Sequence, residues 1–175
     1  DPTEPEVHLA FQKLMLDTDR RAECVAAYKR IHKDSGDNPT ALFYLGRAHF
    51  SAADGLRNRG QWDDAAKSYD DARAAFARYV ALRPVHRPTA SHWQAVCDLS
   101  RARMALDRGD HAQAKATYYQ AFATDPRVLT KDENGVAQIV KDIGGKAEPR
   151  KLARIAAHYE TSCVRRLGYL LERAD

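Results

Sequence analysis

Apolar residues recur at separations of three and four through most of this chain, and no stretch alternates apolar with polar as a half-buried strand does. The pattern predicts helices throughout. Strong breaks divide them: Ser35-Gly36-Asp37-Asn38-Pro39, Arg83-Pro84 with Arg87-Pro88, Asp125-Pro126, and Gly144-Gly145 through Pro149. Gly60 and Gly109 stand alone inside otherwise helical stretches, each followed by a polar start, and read as the turns of helical hairpins.

Self-comparison shows a repeated unit. Counting back twelve, eight and five residues from Gly36, Pro84 and Pro126 gives Cys24/Tyr28/Ile31, Ala72/Phe76/Tyr79 and Ala114/Tyr118/Ala121. Each set runs small, aromatic, apolar along one helix face. The small residue admits a neighbouring helix and the ring fills the space beside it. Gln12, Gly46 and Ala102 take the corresponding place in the preceding helices, although the middle unit carries 14 extra residues. Half of these fall before Gly60. The other half follow it, where Ala65/Tyr69 repeats the Ala72/Phe76 pair seven residues earlier. Seven residues are about two helical turns, so the buried seam survives while each arm lengthens by about 10 Å.

These features resemble the tetratricopeptide repeat. Ala41-Leu42-Phe43-Tyr44-Leu45-Gly46 is similar to its first-helix signature, and Gly109-Asp110-His111-Ala112-Gln113-Ala114-Lys115-Ala116-Thr117-Tyr118 to its turn and second helix. The likeness covers about 120 residues. It implies an all-α fold, a right-handed superhelical stack of antiparallel hairpins over about 6–38, 40–85 and 91–128, after a linker at 1–5. The region 129–175 reads as a C-terminal cap, with a long helix opened by Glu148-Pro149 and striped by Leu152, Ile155, Ala156, Tyr159, Cys163, Leu167, Leu170 and Leu171.

Composition sharpens this picture. The 175 residues include 30 alanines, which favour close-packed helices, and only nine Gly and seven Pro. Mean hydropathy is −0.61 and no apolar run approaches the roughly 18 residues needed to span a bilayer, so membrane insertion is not expected. The net charge of +4 comes from 28 basic and 24 acidic residues closely interspersed, which is a mixed surface rather than a nucleic-acid footprint. The excess of Arg over Lys, with the alanine content, points to a GC-rich bacterial genome. Cys24, Cys97 and Cys163 are scattered and odd in number, against a disulfide framework or zinc knuckle. Asp1 in place of Met leaves the compartment open: cytoplasm, or periplasm and exterior if a leader was removed.

No motif of catalysis stands out. The seven histidines include no H-E-x-x-H, and there is neither a phosphate-cradling glycine loop nor a G-x-S-x-G. No cofactor or metal is expected, and the reading is a non-catalytic protein-interaction module. The resemblance implies a concave groove lined by first helices. Lys13, Arg47 and Arg103 follow the small-residue positions and would form a basic line along it, over an apolar floor of Leu9, Phe43 and Leu99 with Leu16, Phe50 and Leu106. Such a groove suits an acidic, partly apolar peptide. The third register has an equal alternative, in which Trp93, Val96 and Cys97 form the signature and Asp98 replaces Arg103. Leu9 and Lys13 occupy positions where the family's carboxylate clamp uses Lys and Asn, so capture of a chaperone's C-terminal carboxylate is not implied. Arg57, Arg59 and Trp62 around Gly60 offer a second contact surface at the hairpin tip. The rival readings are a self-assembling subunit, joined through the long hairpin or C-terminal helix, a regulatory domain of a larger protein and, ranked last, a helical-repeat nucleic-acid binder.

Overall fold

A computed structural model describes residues 5–36 and 38–125; the expected cap at 129–175 and Cys163 lie outside them. The described residues form six helices and no strand: α1 (Pro5–Asp17), α2 (Arg21–Ser35), α3 (Pro39–Asn58), α4 (Trp62–Leu82), α5 (Arg87–Asp107) and α6 (His111–Thr124). A single 3-10 turn, Pro84–His86, separates α4 from α5. The chain divides into two compact units, the first ending at Trp93 and the second beginning at Gln94, so α5 contributes to both.

Three tight turns close the three hairpins by one mechanism. Asp19, Gly60 and Gly109 have φ of +53°, +72° and +76°. After each, the next residue donates its backbone N–H to a carbonyl five positions back: Arg20 to Met15, Gln61 to Leu56 and Asp110 to Ala105, at 2.8–3.0 Å. This is the Schellman arrangement, which satisfies a helix-end carbonyl and reverses the chain. Glycine meets the left-handed requirement freely at 60 and 109. Asp19 meets it because aspartate is among the few side chains that tolerate this region. The second helices are then set going by local chemistry: Asp110 accepts from the Gln113 N–H at 2.9 Å, and Asp63 and Asp64 stand in the first turn of α4. Asn38 does the same for α3, accepting from Thr40 and Ala41, with Pro39 in the first turn.

Measured from these turns, the repeat becomes regular. Five residues on lie Cys24, Ala65 and Ala114; nine on lie Tyr28, Tyr69 and Tyr118, all three tyrosines fully buried. Seven residues before the turns lie Gln12, Ala53 and Ala102, also buried. In the first unit α3 and α4 outrun α1 and α2 by seven and six residues, which is the lengthened hairpin the sequence predicts. Helix α5, at 21 residues, is as long as α4 and takes Pro88 into its first turn.

The extension is packed through Gly46. A Cβ built there would stand 2.8 Å from the Phe76 ring, so a hydrogen is all that fits between α3 and α4 at this level. Phe76 is fully buried, and its ring meets Phe43 edge-on at 5.7 Å and stacks on Trp93 at 5.9 Å. Burial of such a ring contributes about 1.5–3 kcal/mol. Between the first hairpin and α3, Cys24, Tyr28, Tyr44, Leu45 and Ala48 form a core, with Phe11, Met15 and Ile31 against it. Cys24 and Cys97 are buried, and burial pushes the Cys24 thiol up to about 11.

The two buried glycines of α3 predict opposite results. Gly46→Ala should lose about 1–2 kcal/mol in urea unfolding, because overpacking against an immobile ring outweighs the gain of roughly 1 kcal/mol in helix propensity. At Gly55 a Cβ would meet only the Arg21 side chain, at 2.9 Å, which can swing aside. Gly55→Ala should therefore be neutral or raise the urea midpoint.

Candidate functional site

The sequence places Phe43, Arg47 and Phe50 on one face of α3, and the structure brings all three against neighbouring rings. Phe43 packs edge-on against Tyr44 and Phe76 and lies 5.3 Å from Tyr79. Phe50 lies 5.8 Å from Tyr69 and 5.7 Å from Trp93. Arg47 lies between two aromatic groups, its guanidinium carbon 5.1 Å from the Trp93 ring centre and 5.9 Å from that of Tyr44. Cation–π contacts of this kind contribute about 0.5–1 kcal/mol each at partly exposed sites. Among the described residues no carboxylate pairs with Arg47. A half-buried guanidinium lying over rings retains N–H donors for a planar acceptor such as a carboxylate.

Tyr44 is fixed from the other side. His8 stacks on it at 4.3 Å, the Gln12 amide donates to its carbonyl at 2.8 Å, and its hydroxyl donates to the Pro5 carbonyl at 3.3 Å. His8 Nδ1 also lies 3.0 Å from the Tyr28 hydroxyl. Gln12, which stands where the other units have alanine, is thus a buried polar plug rather than a gap. Lys13 and Leu9, on the same helix, are exposed.

The proposed basic line does not run in one register. Counted from the turns, Lys13 and Arg103 correspond to Asp54, whose carboxylate accepts a hydrogen bond from the Tyr69 hydroxyl. Arg47 lies seven residues nearer the helix start and is matched in α5 by Val96. The second unit contains Leu99, half-buried, Arg103, exposed, and Asp98, fully buried. Of the two residues competing for the third position, Arg103 is therefore the one that reaches solvent. The Leu106 side chain lies outside the described side chains. Leu16 is exposed at the end of α1. At the tip, Arg59 is exposed and donates to the Gln61 side chain at 3.1 Å, while Arg57 and Trp62 are half-buried.

One polar cluster escapes the sequence reading. His49 is buried in α3, with Nδ1 3.7 Å from the Asp71 carboxylate of α4, in an open cleft of about 240 Å³ also lined by Lys29, His32 and Arg78. Burial lowers the His49 pKa; Asp71 opposes this and Lys29 adds to it. The only available signal was His49 and Asp71 falling on facing helices, which single-chain spacing does not reveal. Among the described residues no group of three His, Cys, Asp or Glu is arranged to hold a metal, and no helix is long and apolar enough to cross a membrane. Comparisons with family models, curated proteins and solved structures find no match.

The lowered His49 pKa gives a signed prediction. The unfolded chain takes up this proton first, near the ordinary value of about 6.5, so the folded state loses stability as pH falls through that value. Urea midpoints should drop between about pH 7 and about pH 5, and His49→Gln should flatten that slope whatever its effect at neutral pH.

Proposed function

We propose that this chain is a non-catalytic interaction module, a tetratricopeptide-like stack that binds a peptide segment carrying acidic and apolar side chains against its first helices. The observation that carries this reading is Arg47, held between Trp93 and Tyr44 with no carboxylate of the described residues satisfying it. A cation fixed in this way has little conformational freedom left to lose on binding, which is the general advantage of a preformed site. Half-exposed Phe43 and Phe50, one turn to either side, supply apolar contacts for residues flanking the ligand carboxylate. Lys13, next to the Gln12 that bonds Tyr44, adds positive charge nearby without being locked in place.

Selection of a random peptide display library on the wild-type domain tests the proposal. Enriched sequences should combine Asp or Glu with Leu or Phe. Arg47→Glu should abolish that enrichment, and Lys13→Glu should weaken it about threefold to tenfold through lost charge attraction. Far-UV circular dichroism and urea midpoints confirm that each variant folds. Enrichment unchanged by Arg47→Glu in a folded domain would overturn the assignment.

A further inference from the structure

Helix α1 packs Phe11 and Met15 against the core but buries polar residues most deeply and leaves several apolar ones outside. Its buried residues are His8 and Gln12, while Val7, Leu9, Leu14 and Leu16 are exposed, Val7 by 50% and Leu14 by 57%. Val7, Phe11 and Leu14 share one stripe of α1. Val7 and Phe11 border an open apolar groove of about 820 Å³, whose opposite wall is α2.

The α2 wall has a particular symmetry. Glu23, Ala26, Ala27 and Arg30 all line the groove and fall at i, i+3, i+4 and i+7, a single helical stripe. Its midpoint lies between the two alanines. Glu23 and Arg30 stand equally far from it, about 5 Å along the axis on either side. Charges of opposite sign placed symmetrically about a small-residue pair are self-complementary under a two-fold rotation, which lays a second α2 antiparallel on the first. Glu23 then faces Arg30 of the second copy, Arg30 faces its Glu23, and alanine meets alanine, allowing the axes to approach within about 8 Å. A uniformly charged ligand would meet one favourable and one unfavourable charge in the same groove.

We infer that this face of the α1–α2 hairpin is a homodimer interface, with a second copy of this chain as its occupant. Pairing covers Val7, Phe11 and Leu14 and sets each Glu23 against an Arg30. Arg20 already holds both oxygens of the Glu23 carboxylate on the same exposed turn, so the incoming Arg30 shares that carboxylate through its remaining lone pairs. This surface is separate from Arg47, so peptide binding and dimerisation fail independently.

Sedimentation equilibrium over a wide concentration range tests the inference. The wild type should approach twice 19.6 kDa. Ala26→Glu, at an exposed helix position, should remain folded and monomeric. Glu23→Arg and Arg30→Glu should each weaken the dimer about tenfold or more, because each reversal acts at both symmetry-related pairs. The double swap, Glu23→Arg with Arg30→Glu, should restore the dimer, since both charges reside on every chain. A wild type monomeric at every concentration would overturn the proposal. So would a dimer indifferent to Ala26→Glu, or a double swap no tighter than the single reversals.

Discussion

The contact of Gly46 with Phe76 is the constraint on which the first unit depends. With no side chain on α3 at this level, the two long helices close until the Phe76 ring fills the seam between them. The buried ring then offers one face to Trp93 and an edge to Phe43. Trp93 in turn becomes the platform over which Arg47 lies. A packing choice made for close approach thus ends in the orientation of a surface cation. Interiors at native density transmit such choices, because no neighbour can shift without disturbing the next.

The seven-residue extension explains how a longer hairpin keeps its seam. Ala65 and Tyr69 occupy the positions that Cys24 and Tyr28 hold after the first turn, and Ala72 and Phe76 repeat the pair two helical turns farther on. The long hairpin therefore contains two layers of one packing motif. Gly46 serves the inner layer and Ala53 the layer nearer the tip.

The helical period, the breaks, the two glycine turns and the buried small-aromatic pairs are legible in the sequence because each follows from local stereochemistry or one-dimensional spacing. The first turn was harder to read, since its left-handed residue is Asp19, and aspartate is far commoner in ordinary caps and turns than in this role. Register was the larger difficulty. Matching the first-helix signature, with 14 extra residues allowed in the middle unit, aligns Arg47 with Lys13 and Arg103, whereas counting from the turns puts Asp54 there. An insertion of whole helical turns makes both alignments satisfy the same periodicity, so only contacts distinguish them. The Arg47–Trp93 and His49–Asp71 encounters join different helices, and no spacing within one helix encodes them.

The mixed polarity of α1 follows from the same limits. Opposite α1 lie the buried Tyr28 hydroxyl, which needs a partner, and the Tyr44 carbonyl, which is bonded within α3 but has a second lone pair to offer a buried donor. His8 reaches the Tyr28 hydroxyl, and the buried Gln12 amide donates to the Tyr44 carbonyl. A buried amide so bonded avoids the penalty of an unsatisfied group, about 1–3 kcal/mol, but removes two inward positions from apolar use. The leucines and valine of α1 are then left on its outer side. Helices ordinarily place such residues inward. Here two inward positions serve hydrogen bonding beside the core-facing Phe11 and Met15, so the remaining apolar surface of this helix is available for association.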